Sequence, residues 1–214
     1  TGAVIWQAGP VAPAVVDTGE TFHKVTAMTY AIPSDVAVID RNLDGYADRI
    51  YVGDTGGTVW RIDIASATTA DWTVIAQYGT TASRRKFLFP PDVAYGKDGS
   101  GAYDAVLIGS GDREHPFNGS GDAAHPLANA VVNRYYMFKD RGTGNAFVGS
   151  TAAERDLYDA TANLIQDGTS AQQVAASSAL TAAAGWYVTL GTGEKVVGGS
   201  VTLVSAAGRD LRQY

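Results

Sequence analysis

Asp40-Arg41-Asn42-Leu43-Asp44-Gly45-Tyr46-Ala47-Asp48 places oxygen side chains at positions 1, 3, 5 and 9 of a short loop, with glycine at position 6. Three carboxylates held so close repel one another unless a cation neutralises them. Oxygen-only donors on a flexible loop suit a hard ion that accepts irregular geometry, which points to Ca²⁺. Mg²⁺ is disfavoured because it demands a tighter octahedron and retains water. The expected ligands are the side chains of Asp40, Asn42, Asp44 and Asp48 and the backbone carbonyl of Tyr46, with Gly45 making the sharp turn. Position 12 is Tyr51, where an EF-hand carries glutamate, so Asp48 is expected to close the shell with both oxygens. Without an ion the loop is expected to be loose. The competing reading is an Asx-rich turn whose side chains cap their own backbone.

The flanking segments must position this loop. Val36-Ala37-Val38-Ile39 enters it and Arg49-Ile50-Tyr51-Val52-Gly53 leaves it, both with strand character. Asp54-Thr55-Gly56-Gly57 is a turn signal, and Thr58 to Ile64 reads as the next strand. The loop therefore joins two strands rather than two helices. A second segment, from Asp92-Val93-Ala94 to Gly111-Asp112, repeats the pattern of Asp35-Val36-Ala37 to Gly53-Asp54 at an offset of about 56 to 57 residues, longer than the roughly 40 to 50 of propeller blades. With Gly45 aligned on Gly101, Asp40 falls on Gly96 and Asp44 on Ser100, while Asp98 and Asp104 stand for Asn42 and Asp48. One competent cation loop and one decayed relative are expected.

Further on, Asn133 to Asp140 is an aromatic strand ending in aspartate, like Trp60-Arg61-Ile62-Asp63. Between Gly109 and Asn129 lies a loop rich in Gly, Asp and His. Residues 151–184 lose strand alternation, and two short helices are expected there, Ala152 to Leu164 and Ala171 to Ala184. Strand signals return at Gly185 to Leu190, Lys195 to Val197 and Ser200 to Val204. The expected fold class is mainly all-β, with a helical insertion at 151–184 in a single unit of 214 residues.

Bulk properties narrow the function. Hydrophobic residues make up 45% and charged residues 18%, enough for a sizeable core. The net charge of -6 and the lack of a basic stripe argue against nucleic acid. Arg84-Arg85-Lys86 is expected to be a solvated loop. With no cysteine, disulfides, zinc-thiolate sites and cysteine nucleophiles are excluded. No apolar run approaches the roughly 20 residues of a membrane helix. The chain opens on Thr1-Gly2-Ala3-Val4-Ile5-Trp6, which reads as the middle of a strand, so a fragment of a longer protein is expected.

The run from Asp40 to Asp63 resembles the C-terminal propeller of the PilY1/PilC family of type IV pilus assembly and tip-associated adhesins. So do Gly109-Ser110-Gly111-Asp112-Arg113-Glu114-His115-Pro116, Asn133 to Asp140, and Gly185-Trp186-Tyr187 with Gly193-Glu194-Lys195-Val196-Val197. The resemblance spans roughly residues 30–200. It implies partial or modified β-propeller blades of quinoprotein-like character, with Ca²⁺ on Asp40, Asn42, Asp44, Tyr46 and Asp48, regulating pilus extension against retraction. It also implies a place on the bacterial cell surface or pilus tip, outer-membrane-associated or secreted. The partners implied are minor pilins, the pilus assembly machinery and the rest of a longer chain, with a host or surface ligand as a further candidate and no nucleic acid.

Two other classes are compatible with the pattern. An integrin-α-like recognition propeller carries similar loops, usually in several blades. A quinone-dependent dehydrogenase carries strands like Thr1–Trp6, but the cofactor pocket of stacked aromatics and cations is not legible here. Ser110, Asp112 and His115 share one Gly-rich loop with nothing to activate a nucleophile, so no enzyme is expected. His23, His115 and His125 fit no zinc spacing. Trp60, Trp72, Tyr135, Tyr136 and Trp186 are expected in the core, with Phe87-Leu88-Phe89-Pro90-Pro91 packing between blades.

Overall fold

The computed structural model describes residues 4, 6–14, 21–66, 69–78, 84–115, 131–142, 154, 156–204 and 211–213. Four consecutive antiparallel strands form the first sheet: β3 (Ala37–Ile39), β4 (Arg49–Gly53), β5 (Thr58–Ser66) and β6 (Thr69–Gln77). The second sheet has the order β10-β11-β9-β8-β7, from β7 (Asp92–Asp98), β8 (Gly101–Gly109), β9 (Arg134–Asp140), β10 (Tyr158–Asp159) and β11 (Gly185–Thr189). Two small sheets flank these. One pairs β1 (Trp6–Gly9) with β2 (Thr21–Lys24), the other β12 (Thr202–Val204) with β13 (Leu211–Gln213). The fold is mainly β, as expected. Among the described residues the sheets do not close into a ring.

Strand alternation sends successive side chains to opposite faces and so builds three apolar layers. Tyr51, Val59 and Ile75 of the first sheet meet Val106, Ile108, Tyr136 and Phe138 of the second, with Phe87 wedged between them. Tyr136 stacks on Tyr78 at 4.8 Å and on Phe138 at 5.5 Å. Val52, Trp60 and Ile62 cover the outer face of the first sheet, and Ala105, Leu107 and Met137 the outer face of the second. Trp60 and Tyr136 are fully buried, whereas Trp72, Tyr135 and Trp186 are only half-buried. Phe87 and Leu88 pack inside, as the sequence suggested.

The Asp54 turn shows why β4 and β5 form a hairpin. Its Oδ1 accepts the N–H groups of Gly56 and Thr58, and its Oδ2 accepts the Trp60 indole N–H at 2.9 Å. At Gly53 the wedge comes so close that a Cβ would lie 2.5 Å from Phe87 Cβ and 2.9 Å from Ile108 Cδ1. Gly53→Ala is expected to lower stability by about 1–3 kcal/mol through overpacking. Urea unfolding checks this, and an unchanged midpoint would refute the wedge.

Three sequence expectations are corrected. No helix spans Ala152 to Leu164. Tyr158 and Asp159 instead pair in parallel with Trp186 and Tyr187, and Asp159 Oδ1 accepts the Thr161 N–H at 3.0 Å. The sheet edge and this local turn outweigh the helix propensity of an Ala-rich run. Helices α1 (Leu164–Asp167) and α2 (Ser170–Ala182) follow, so the second expected helix is present. It starts on a capping box between Thr169 and Gln172, and Lys139 Nζ donates to the carbonyls of Leu180 and Thr181 at its far end. Residues 151–153 and 155 lie outside the described set.

Lys195 to Val197 is not a strand. Val196 N–H donates to Ser110 O at 3.1 Å, and its side chain fills the space above Gly109. Arg84-Arg85-Lys86 is not simply solvated either. Arg84 stacks 4.4 Å from the Tyr30 ring, Arg85 pairs with Glu154 at 2.9 Å, and Lys86 pairs with Asp112 at 2.5 Å. The Gly109–Asn129 loop is described only to His115, and residues 1–3 and 5 fall outside the described set, as does His125.

Candidate metal centre

The acidic loop connects β3 to β4, whose antiparallel register pairs Ile39 with Arg49. Leu43 has φ 61° and Gly45 has φ 89°, so the chain curls left-handedly twice within three residues. That curl turns backbone N–H groups inward onto the acidic side chains. Asp40 accepts from Asp44 N at 3.2 Å and from Gly45 N at 2.8 Å. Asn42 Oδ1 accepts from Asp44 N at 2.9 Å, and Asp44 Oδ1 from Tyr46 N at 2.9 Å. Asp48 Oδ2 accepts from Arg41 N at 2.8 Å and from Asn42 N at 3.2 Å. Tyr46 is 78% exposed, and the site calls on its backbone carbonyl rather than its phenol. Asp48 itself is fixed at the root of the hairpin, where its N–H donates to Ile39 O and its carbonyl accepts from Ile64 N.

The donor set fits a hard cation. It consists of three carboxylates, one amide oxygen and one carbonyl, without imidazole or sulfur. A carboxylate has about four lone-pair sites, so the N–H contacts leave acceptor capacity on each. Among the described residues, one group of three Asp, Glu or His ligand atoms lies within 4.8 Å of one another: Asp112, Glu114 and His115. Asp40, Asp44 and Asp48 do not meet that spacing here. Their oxygens are turned onto the loop's own N–H groups, so these hydrogen bonds offset the crowding of charge.

In the second sheet the corresponding hairpin has a two-residue turn, with Asp98 paired opposite Gly101. Asp98 is neutralised by side chains of the fold: both its oxygens accept from Arg141 Nη2, at 2.8 and 2.7 Å, and Lys139 Nζ lies 3.4 Å away. The Arg141 hydrogen bonds hold the Asp98 carboxyl below its ordinary value of 3.8. A carboxylate with a lowered folded-state pKa adds stability above its unfolded value, and loses it as pH falls through the folded value. Urea midpoints of wild type and Arg141→Gln are therefore expected to differ near pH 5 and to draw together as acidification passes the lowered folded-state value. A gap independent of pH would refute this.

Behind the acidic loop, alternation places a second charged group on the same inter-sheet face as the apolar core. Residues 49 and 51 of β4, 61 and 63 of β5, 104 of β8 and 140 of β9 share it. Register sets Asp104 directly opposite Asp140, and Arg49 opposite Asp63. Like charges opposed in a ladder are destabilising alone. Arg49 Nε donates to Asp63 at 2.6 Å and its Nη1 to Asp104 at 2.8 Å. Arg61 Nε donates to Asp63 at 2.7 Å and its Nη1 to Asp140 at 2.8 Å. The Tyr51 hydroxyl lies 2.8 Å from Asp104 and 2.7 Å from Asp140. Burial, reinforced by these two aspartates, pushes the Tyr51 phenol far up, so it stays a proton donor. Burial alone would lower the Arg49 guanidinium, but Tyr51, Asp104 and Asp63 more than offset it and the net shift is upward. Sequence reading missed this group. Its one legible trace was the likeness of two aromatic strand segments that lead to an aspartate, Asp63 and Asp140.

The other singled-out residues that are described make local contacts. Ser110 Oγ donates to Asn133 Oδ1 and accepts from Arg134 N, while His115 Nδ1 is 3.0 Å from Asp112. The Trp6 and His23 rings meet edge to face at 5.8 Å. His23 and His115 thus have separate surroundings. Segments 109–115, 133–134 and 193–196 converge: Asn133 Nδ2 donates to Glu194 O at 2.8 Å, and Ser110 N to Arg134 O at 2.9 Å.

Fold and loop together define a mainly β protein of two facing sheets with an acidic hairpin at one end of their junction. No family model and no curated protein sequence matches the chain. Among solved structures it is similar to the crystal structure of the Pseudomonas aeruginosa PilY1 C-terminal domain, at TM-score 0.54 and 15% identity over 79% of this chain. The match covers 42% of that domain, so the chain spans less than half its length. At this identity the likeness is one of fold.

Proposed function

We propose that this chain is a calcium-binding part of a type IV pilus biogenesis and tip-associated protein, without catalytic activity of its own. The observation that carries the reading is the acidic hairpin 40–48, with its oxygen-only donors curled by Leu43 and Gly45, on a fold similar to the PilY1 C-terminal domain. Asp40, Asn42, Asp44 and Asp48 and the Tyr46 carbonyl would hold the ion. Bound calcium supplies positive charge against three carboxylates.

The chain's own residues do the rest. Gly45 and Leu43 keep the loop curled, and Asp48 fastens it to β5 through the Ile64 N–H. The ordered loop and its strands present a surface to minor pilins or the assembly machinery at the bacterial surface, favouring extension over retraction. The ion biases the two states only through its differential affinity for them. A single intact loop, beside a second hairpin neutralised by Arg141 and Lys139, favours this reading over an integrin-α-like propeller with several cation loops.

The test is a count of surface pili in bacteria carrying the full-length protein, wild type or Asp44→Ala, with and without calcium chelation. Chelation is expected to reduce pili in the wild type, and Asp44→Ala to do so without it. Unchanged pilus number in both arms would overturn the proposal.

A further inference from the structure

The charged group between the sheets holds three carboxylates, buried Asp104 and Asp140 and half-buried Asp63, and two buried guanidiniums, Arg49 and Arg61. Its third cation comes from the acidic loop. Arg41 Nε lies 3.6 Å from Asp104 Oδ1, with the arginine side chain 34% exposed and the aspartate 4% exposed. The same residue donates its backbone N–H to Asp48 Oδ2 at 2.8 Å. Arg41 therefore touches a candidate cation ligand through its backbone and a carboxylate of the second sheet through its side chain. Asp104 has few other ways to be neutralised. Its Oδ2 already takes Arg49 and Tyr51, and its cross-strand neighbour is another aspartate. With one partner exposed the pair is partly screened by water, and exclusion of water from Asp104 strengthens it only in part.

We infer that Arg41 is a positioning residue that couples cation occupancy of the 40–48 loop to the docking of the second sheet on the first. The inference rests on the calcium reading above and assigns its regulation. A loop held in the curled form holds the Arg41 backbone at Asp48 and its guanidinium at Asp104, so the inter-sheet charges balance three against three. A loop that opens withdraws one cation, leaves the group net negative, and leaves buried Asp104 with Arg49 as its remaining ion-pair partner. Coupling is reciprocal: whatever the ion adds to the junction, an intact junction adds to ion affinity. The effect reaches β8 and β9, which supply Asp104 and Asp140 but no ligand. Sheet separation is thus the second state that the ion biases, with Arg41 as the link.

The test combines calcium calorimetry with amide hydrogen exchange on the wild-type chain, Arg41→Gln and Arg41→Lys. Arg41 is part-exposed, so neither substitution opens a core cavity. In the wild type, calcium is expected to slow exchange both in the loop and along β8 and β9. In Arg41→Gln, calcium still protects the loop, protection of β8 and β9 is lost, and affinity falls about fivefold, the lower end of ordinary coupling. Arg41→Lys keeps the charge and restores part of the β8 and β9 protection. Equal protection of β8 and β9 in wild type and Arg41→Gln, with calcium bound to both, overturns the coupling and leaves the calcium site standing. A wild-type chain that takes up no calcium overturns both.

Discussion

Calorimetric titration with calcium is expected to give one binding event, and Asp44→Ala and Asp48→Ala are each expected to weaken it by at least about tenfold. Both substitutions remove a full negative charge from a site whose affinity depends on charge count. They differ in what else they remove. Asp44 sits mid-loop, where its Oδ1 accepts only the Tyr46 N–H, so its loss acts through the donor set. Asp48 also holds the N–H groups of Arg41 and Asn42, so its loss also frees the loop entrance. Asp48→Ala is therefore expected to be the more damaging of the two. Asp98→Ala in the second hairpin serves as a control and should leave the titration unchanged, because Arg141 and Lys139 already neutralise that carboxylate. Magnesium should bind more weakly than calcium. Equal calcium affinity in wild type and Asp44→Ala would show that the loop is a self-capped turn and nothing more.

Removing Asp104 should be the costliest single change to stability. Asp104→Ala leaves Arg49 with one carboxylate partner in place of two, takes one acceptor from Tyr51, and strips Arg41 of its partner. Breaking one member of a buried ion group costs about 3–5 kcal/mol, because the remaining charge stays desolvated. That is a large share of the roughly 5–15 kcal/mol that holds a typical domain together. The urea midpoint should therefore fall sharply. Replacing Asp104 and Arg49 together by apolar residues of similar volume should cost less than the single change, since apolar replacement of a buried pair is often close to neutral. A loss below about 1 kcal/mol for Asp104→Ala would mean that the group is solvated and the junction is held by the apolar layer alone.

The two predictions concern neighbouring groups of opposite legibility. The cation loop was readable because all its donors lie within nine consecutive residues and their spacing is itself the signal. The Asp54 turn and the strands on both sides of it were readable for the same reason. The inter-sheet charges were not. Arg49, Arg61, Asp63, Asp104 and Asp140 are scattered over 92 residues of chain, and each by itself looks like the polar end of a strand. Only register, which places Asp104 opposite Asp140 and Arg49 opposite Asp63, turns them into one group. The misjudged helix at Ala152 to Leu164 has a related cause. Local propensity was read correctly, but β11 supplied an edge that Tyr158 and Asp159 could pair with, 28 residues away.

The sequence by itself determined the mainly β class, the hairpin around the acidic loop, the loss of its counterpart in the second sheet, and the second helix of the 151–184 insertion. All of these depend on contacts between residues a few positions apart. Tertiary structure alone decided which face of each strand is shared, which carboxylates are neutralised by arginine, and that Arg41 leaves its own loop to reach Asp104. Those outcomes depend on a long-range register, and a shift of one residue would turn every one of these side chains to the opposite face.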